Sequence, residues 1–200
     1  MLKLPLKIPA KINGQRIYLE RPPVRLFVAK EIYDAAQESL DGQGPWCPYT
    51  PKDDVKLFFK GLKWSAKKWE KGLLYDYTIR DKKTKKLLGF VNVRDIAIYS
   101  HSGELGYWLR QSAEGYGYCQ EALQLMEKVF FKAGLNRLVI RTDSLNKKSN
   151  AVAKRAGYKL DGVLREDSWV CDLKCMNDTY FFTKLKSEWL AEQKKTKKAK

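Results

Sequence analysis

Residues 103–123 read GELGYWLRQSAEGYGYCQEAL, in which a strand, a short loop and the start of an amphipathic helix follow one another directly. Gly115 and Gly117 lie at the mouth of this helix, where a residue without a side chain lets the backbone bend sharply or approach another group closely. The first N–H groups of a helix lack partners and carry a partial positive charge, so this arrangement can bind phosphate. A tight turn with close helix–sheet packing explains the same glycines equally well.

Two well-known phosphate motifs do not fit this stretch. A Walker loop needs Lys-Ser or Lys-Thr after its glycines, and a dinucleotide-binding fingerprint needs a third glycine. Neither follows Gly117. Phosphate binding here would therefore depend on backbone N–H groups at a helix N-terminus.

The segments around this stretch predict alternating sheet and helix. Apolar residues recur from Tyr118 at the spacing of one buried helix face, and Gly134 ends that helix. The remaining predicted strands are 16–22, 73–81, 86–100, 102–110, 135–142, 158–167 and 178–185, and the remaining helices are 24–40, 51–69, 148–156 and 187–193. This order predicts an α/β fold with a mixed sheet, in a single domain over residues 1–193. Residues 194–200 are expected to form a lysine-rich disordered tail.

Composition indicates a folded protein with a strongly basic surface. The chain of 200 residues is 44% hydrophobic, and its formal net charge is +16. The tail KKTKKAK holds five lysines, so the rest of the chain carries five charges fewer, +11. Such a surface attracts anions such as nucleotides, RNA and acidic proteins. The lysines form dispersed clusters without a base-reading motif, so RNA proximity stays open and sequence-specific binding is not indicated.

The chain offers few signals for metal, disulfide or membrane chemistry. Cys171 and Cys175 form a C-x-x-x-C pair that matches neither a common zinc spacing nor a redox motif, and His101 is the single histidine. The four cysteines are expected to be free thiols, and no metal site is expected. No stretch reaches the length of a membrane-spanning helix, so a cytoplasmic protein is expected.

The runs GELGYWLRQSAEGYGYCQEAL and NRLVIRTDSLNKKSNAVAKRAGYKLDGVLRED resemble the GNAT acetyltransferases over residues 15–186, specifically their RimJ/RimL-like branch of ribosomal-protein N-terminal acetyltransferases. The resemblance implies a mixed, mostly antiparallel central sheet flanked by helices, and acetyl-coenzyme A as cosubstrate. It makes EGYGYC (114–119) the pyrophosphate loop, in which Glu114 replaces the family's Gln or Arg. The cofactor-binding residues implied for this loop are Gly115, Tyr116, Gly117, Tyr118 and Cys119.

A second motif, NKKSNAVAKRAGY (146–158), extends the resemblance to catalysis. It implies that Asn146 hydrogen-bonds the pantetheine arm and that Ser149 lies near the cofactor sulfur. Many GNAT enzymes use a tyrosine as general acid at the position that is Ala153 here, whereas the RimJ/RimL-like branch uses the serine at Ser149. From the residues alone, Ser149 is equally an N-cap of the helix that starts there.

The strand GYWLR is expected to supply backbone groups to the pantetheine amides, with Leu109 nearest by resemblance. If this strand splays from the next one, 135–142, a slot opens for the arm. Trp46 and Tyr49 are expected to line the acceptor side, although a loop that only covers the core is equally consistent with them.

Acetyl transfer to an amine needs an unprotonated nitrogen and an acid for the departing thiolate. Glu104, at the start of the strand before the glycine loop, is the first candidate base, because it resembles the strand glutamate used elsewhere in GNAT enzymes. Glu166 and Asp167 are competitors, and a solvated surface charge is the alternative for each of the three. An α-amine needs less help from a base, since ~10–20% of it is neutral at pH 7, compared with ~0.04% of a lysine amine.

The predicted function is therefore acetyl-coenzyme A-dependent acetylation of a primary amine, first of all the N-terminal α-amine of a protein. A +16 chain repels basic substrates and favours an acidic protein or peptide, and the resemblance implies an acidic ribosomal stalk protein. Two alternatives stay open: acetylation of a small amine or amino-acid metabolite, and a basic module that associates with RNA or ribosomes on a GNAT scaffold. A monomer and a homodimer are equally compatible with the sequence.

Overall fold

The computed structural model describes residues 3–43, 46, 54–170 and 174–198. The strands are β1 Lys11–Asn13, β2 Ile17–Glu20, β3 Leu74–Asp81, β4 Leu87–Ala97, β5 Ser102–Leu109, β6 Arg137–Asp143, β7 Lys159–Val170 and β8 Cys175–Leu185. The helices are α1 Leu26–Gln43, α2 Val55–Glu70, α3 Tyr118–Lys132, α4 Lys147–Arg155 and α5 Lys186–Lys198, with a 3-10 turn at Gln111–Ala113.

All the strands described belong to one eight-stranded sheet, in the order β1-β2-β3-β4-β5-β6-β8-β7. Every neighbouring pair is antiparallel except β5 and β6, which are parallel. This arrangement confirms the predicted mixed, mostly antiparallel sheet. Of the eight strands described, the sequence patterns failed to predict only the short strand β1, which pairs with β2 across a tight turn at Gly14.

The parallel pair β5–β6 is joined over a short length only. Ser102, Gly103 and Glu104 pair with residues 137–139, and the rest of β5 is paired with β4 alone. The two strands therefore separate beyond Glu104, so the condition on which the slot depends is met. Beyond Glu104 this edge of β5 has no paired strand among the described residues, and such an edge can accept an added strand-like partner.

The larger core lies between the sheet and α3. Tyr75 and Tyr77 from β3 are fully buried with Phe130 from α3, and the ring centroids of Tyr75 and Phe130 are 5.5 Å apart. Burying a side chain of this size stabilises the fold by about 1.5–3 kcal/mol. This packing fixes α3 on the sheet and places its N-terminus beside the open edge of β5.

The smaller core lies on the opposite face of the sheet, under α1 and α2. Val28 and Ala29 from α1 meet Phe58 and Leu62 from α2, and this cluster packs on Leu87. Asp54 caps α2 by accepting a hydrogen bond from the N–H of Leu57 at 2.8 Å. The two helices thus form the wall that faces the slot from the side opposite α3.

The C-terminal helix is longer than the sequence predicted, whereas the described cysteines are free thiols as predicted. Helix α5 runs to Lys198, so the helix boundary lies later than residue 193 and includes most of the segment assigned to a disordered tail. Cys119 and Cys175 are free thiols, whereas Cys47 and Cys171 lie outside the described residues. Within the part of the chain that the structure describes, no cluster of potential ligands is arranged to hold a metal ion, and no helix is long and apolar enough to cross a membrane.

Candidate functional site

Two clefts meet at the point where β5 and β6 separate. The first, here called the α3 cleft, has a volume of about 1140 Å³ and lies between the loop before α3 and helix α4. The second, the α2 cleft, has a volume of about 660 Å³ and lies between α2 and the splayed strands. Both clefts are lined by Trp46, Tyr107, Trp108, Asn146 and Ser149. The two clefts therefore adjoin at these residues, and together they are called the channel.

The glycine loop forms the mouth of the α3 cleft. Gly115 and Gly117 have φ values of 82° and 77°, a conformation that side chains with a Cβ rarely adopt. Gly117 is the N-cap of α3 and offers no side-chain cap, while a Cβ on Gly115 would meet nothing within 4 Å. The glycines make the tight turn and also leave the first N–H groups of α3 open toward the cleft. This geometry is compatible with both interpretations of the sequence, the tight turn and the phosphate site.

Tyr116 and Tyr118 take a different position from Gly115 and Gly117, with which they alternate in the chain. Their rings lie next to each other, with centroids 6.0 Å apart, and Tyr116 is 64% exposed. Neither tyrosine is among the residues that line the α3 cleft, whereas Gly115, Gly117 and Cys119 are. A role for residues 116 and 118 in ligand binding would therefore belong to their backbone.

Arg16 holds the glycine loop from the turn between β1 and β2. Its guanidinium donates to the carbonyl of Tyr116 at 2.7 Å and to the carboxylate of Glu121 at 3.0 Å, and it lies 5.1 Å from the centre of the Tyr118 ring. The sequence reading missed this residue, because Arg16 and Tyr116 are 100 positions apart. Only the β2–α3 packing brings them together.

A second clamp holds the loop from α1. Arg110 donates to the carboxylate of Glu38, which also accepts from the N–H of Ser112 at 2.7 Å. The hydrogen bond from Arg110 lowers the pKa of Glu38 to about 2, so this carboxylate stays charged at neutral pH. The segment between β5 and α3 is therefore tied to two separate parts of the chain before any ligand binds.

The rim of the α3 cleft is basic. Lys147, Lys148 and Arg155 line it, and Lys148 also forms an ion pair with Glu114 at 2.7 Å. This pair offsets the negative charge of Glu114, the residue that departs from the resembled loop pattern. Leu109, which the resemblance assigns to the pantetheine amides, lines the same cleft.

Cys119 lies in the wall of the α3 cleft as a buried thiol. Burial raises the pKa of Cys119 to about 12, although the charge of Arg155 lowers it. The thiolate, which is the nucleophilic form of cysteine, is therefore almost absent at neutral pH. Cys119 contributes packing to this site and no nucleophile.

Asn146, and not Ser149, is the N-cap of α4. The side chain of Asn146 accepts a hydrogen bond from the N–H of Ser149 at 3.0 Å, and the helix begins at Lys147. The alternative that Ser149 caps this helix is therefore wrong, because Ser149 is the third residue inside it. The Ser149 hydroxyl therefore does not cap the helix, and Ser149 lines both clefts.

Tyr107 is the hydroxyl partner of Ser149. Its OH lies 3.0 Å from Ser149 Oγ and donates to the Ser149 carbonyl at 3.3 Å. Burial raises the pKa of Tyr107 well above its usual value, so the phenol keeps its proton. The sequence reading did not single out Tyr107. Strand alternation places it on the face of β5 opposite Glu104, which is a signal that could have identified it.

Glu104 is buried in an ion-pair network beside the channel. Its carboxylate accepts from Arg94 at 2.6 Å and lies 3.9 Å from Arg141, which in turn pairs with Asp167 at 2.9 Å. Among the described residues that line the two clefts, Arg94 and Arg141 are present and the two carboxylates are not. The structure thus brings Glu104 and Asp167 together through Arg141.

Glu166, the other competing carboxylate, lies at an irregularity in the pairing of β7 with β8. It has a φ of 50°, and its N–H donates to Asp178 at 3.0 Å. Its position therefore reflects a local backbone distortion of β7.

Several aromatic side chains line the α2 cleft. Trp46 is one of them, together with Trp64, Phe90 and Trp108. Phe90 and Trp108 are stacked, with ring centroids 5.7 Å apart. Tyr49, which was expected to join Trp46, lies outside the described residues.

Comparison with known proteins gives a family match over most of the chain. Residues 23–159 match the family described as "Acetyltransferase (GNAT) domain". This segment includes α1, the splayed strands, the glycine loop and α4. It therefore contains the whole channel past Ser149.

Two curated relatives share part of the chain. A protein of Bacillus subtilis (strain 168), provisionally named ribosomal N-acetyltransferase YdaF, is 30% identical over 125 residues, which make up 62% of this chain and 63% of the relative. The ribosomal-protein-serine acetyltransferase of Escherichia coli (strain K12) is 34% identical over 91 residues, or 45% of this chain and 51% of the relative. The chain thus spans between half and two thirds of the length of these relatives.

A solved structure with the same fold is RimJ of Mycobacterium smegmatis in complex with CoA-disulfide. It superposes with a TM-score of 0.80 at 20% sequence identity, and the match covers 90% of this chain and 89% of that one. At this level of identity the likeness concerns the fold. It agrees with the eight-stranded sheet and the flanking helices described above.

Proposed function

The chain belongs to the GNAT acetyltransferase family, and from this premise we propose that it transfers an acetyl group from acetyl-coenzyme A to the N-terminal α-amine of an acidic protein of ribosomal-protein type. The observation that carries the proposal is the pair of adjoining clefts: one has the N-terminus of α3 at its mouth, the other has several aromatic side chains in its wall, and Ser149 lines both.

The α3 cleft fits a coenzyme A ligand in its chemistry. The open N–H groups before and in the first turn of α3 suit a pyrophosphate, and Lys147, Lys148 and Arg155 add positive charge around it. The edge of β5 beyond Glu104, where β6 no longer pairs with it, suits the amide groups of a pantetheine arm, and Asn146 lines the same cleft. The RimJ neighbour was solved with a coenzyme A disulfide, which supports the same assignment.

Bound acetyl-coenzyme A supplies an acetyl group as a thioester. In the proposed reaction, Ser149 Oγ donates its proton to the sulfur as the carbon–sulfur bond breaks, while the new carbon–nitrogen bond forms to the amine. Tyr107 holds the Ser149 hydroxyl in place and keeps its own proton, and the proton that the amine loses replaces the one that Ser149 has given to the sulfur. General acid catalysis of this kind contributes about 10²–10⁴-fold in rate.

The amine loses a proton during transfer, and Glu104 remains the first candidate to influence that loss. Its carboxylate pairs with Arg94 and Arg141, and these arginines connect it to the wall of the α2 cleft. An α-amine is ~10–20% neutral at pH 7, so the protein acceptor needs no strong base. Asp167 shares Arg141 with Glu104 and is the second candidate.

The nature of the acceptor rests on charge and on the named relatives. The basic surface favours an acidic polypeptide, and the two curated relatives are named for ribosomal proteins. A cytoplasmic location follows from such an acceptor. Acetylation of a small amine or metabolite is the second candidate function, because the aromatic α2 cleft of about 660 Å³ is large enough for a small ligand.

The test is the release of free thiol from acetyl-coenzyme A with four additions: an acidic peptide with a free N-terminus, the same peptide acetylated beforehand, a polyamine, and no acceptor. We expect thiol release with the free acidic peptide, at least ~100-fold above the rate without acceptor. Release with the polyamine alone would favour the metabolite reading. If no acceptor raises the rate, the enzyme proposal fails and the basic ribosome-associating module takes its place.

A further inference from the structure

Asp76, on β3, forms part of the floor of the α2 cleft. It is partly buried, accepts a hydrogen bond from Ser65 Oγ at 2.5 Å, and accepts another from the side-chain amide of Asn92. Among the residues that the structure describes, no lysine or arginine forms a salt bridge with it. Burial raises the pKa of the Asp76 carboxyl, against these hydrogen bonds and the charge of Arg94, which lower it.

Three residues on neighbouring strands form a row from Asp76 to the opening beside β5. Asp76 pairs with Asn92 on β4, and Asn92 pairs with Gly106 on β5. A Cβ on Gly106 would lie 2.8 Å from Asn92 Oδ1, so glycine at this position leaves room for the amide that reaches over it. Within the described part of the chain, Asn92 Oδ1 is buried without a hydrogen-bond partner. The row therefore holds two oxygen acceptors, the Asp76 carboxylate and Asn92 Oδ1, and among the described residues no group donates to Asn92 Oδ1.

The chemistry around this row suits a primary ammonium ion. Trp64, Phe90 and Trp108 line the same cleft, and aromatic faces attract a cation, more strongly where water is excluded. A buried carboxylate without a cationic partner is unfavourable, and an ammonium ion placed against it removes that cost. Ser65 and Asn92 already orient the carboxylate, so little ordering is needed when a cation binds.

We propose that Asp76, oriented by Ser65 and Asn92, is the docking group for the primary ammonium of the acceptor. This inference rests on the proposed function, and it assigns the end of the α2 cleft that receives the acceptor before its amine loses a proton. Arg94 and Arg141 line the same cleft, so acidic residues that follow the N-terminus of a peptide have cations to meet. The cleft then distinguishes a free N-terminus from an acetylated one, which carries no ammonium.

The experiment uses the three tryptophans of the cleft as reporters. Quenching of intrinsic fluorescence is titrated in the full chain with an acidic peptide that has a free N-terminus, and with the same peptide acetylated beforehand. We expect the wild-type chain to bind the free peptide about tenfold more tightly, and Asp76→Asn to remove this preference. In turnover measurements, Asp76→Asn should raise KM for the peptide about tenfold and change kcat less.

Asp34→Asn is the matched control, because Asp34 lies on the outer surface of α1, half exposed and paired with Lys30. It should keep the wild-type preference, and calorimetry should show the same coenzyme A affinity for both variants. Equal binding of the two peptides by the wild type, or a preference that survives in Asp76→Asn, would overturn the assignment. A chain that distinguishes the peptides and still releases no thiol keeps the docking group and removes the proposed enzyme function.

Discussion

At the scale of single residues, Asn146 and Ser149 belong to one sequence motif but have separate roles. Asn146 caps α4, and the Ser149 hydroxyl contacts Tyr107 in the channel. We expect Ser149→Ala to lower kcat about 10²-fold or more with little change in coenzyme A affinity, as a lost transition-state interaction does. Asn146→Ala should instead lower the free energy of unfolding by about 0.5–2 kcal/mol. Steady-state kinetics and denaturant unfolding of the two variants check this; a large stability loss in Ser149→Ala with normal kcat would contradict it.

At the scale of an element, the N-terminus of α3 depends on a left-handed turn that glycine adopts without strain. Gly117→Val places a β-branched residue at a φ of 77°, so the turn must change and the first N–H groups of α3 lose their common direction. We expect coenzyme A binding in calorimetry to fall below detection, while the sheet and α3 stay folded by circular dichroism. Gly162→Ala is the control, because Gly162 has open space around it and no positive φ. Unchanged affinity in Gly117→Val would remove the phosphate role of this loop.

At the scale of the whole molecule, net charge influences how fast an acidic acceptor associates with the protein. A chain at +16 attracts an acidic peptide over distances that salt screens, so kcat/KM for that peptide should fall steeply between low and physiological ionic strength. Deleting residues 194–200 lowers the charge to +11 and should weaken this salt dependence without changing kcat at saturation. A polyamine acceptor should show no loss with salt, since it is repelled. If salt leaves the acidic-peptide rate unchanged, the electrostatic case for a protein acceptor fails.

The sequence by itself determined the elements and the positions of the channel's central residues. Apolar residues with period 2 located β3–β6, and apolar residues with period 3.6 located α3. These periods appear because each strand or helix buries one face against a core. Gly115 and Gly117 could be identified because a positive φ restricts residue type. Ser149 and Asn146 were identified through a motif whose residues lie within one turn of helix. All of these signals are local in the chain.

Only the tertiary structure decided which distant residues complete the site. Arg16 reaches the glycine loop across the β2–α3 packing, Tyr107 on β5 meets Ser149 on α4, and Asp76 lines the α2 cleft from β3. Each of these contacts joins segments far apart in the chain or depends on which face of a strand points into a cleft. The extension of α5 to Lys198 likewise departs from the boundary read from the lysine run. Sequence patterns record burial and backbone geometry, whereas pairings between polar side chains depend on distances that exist only after the sheet has formed.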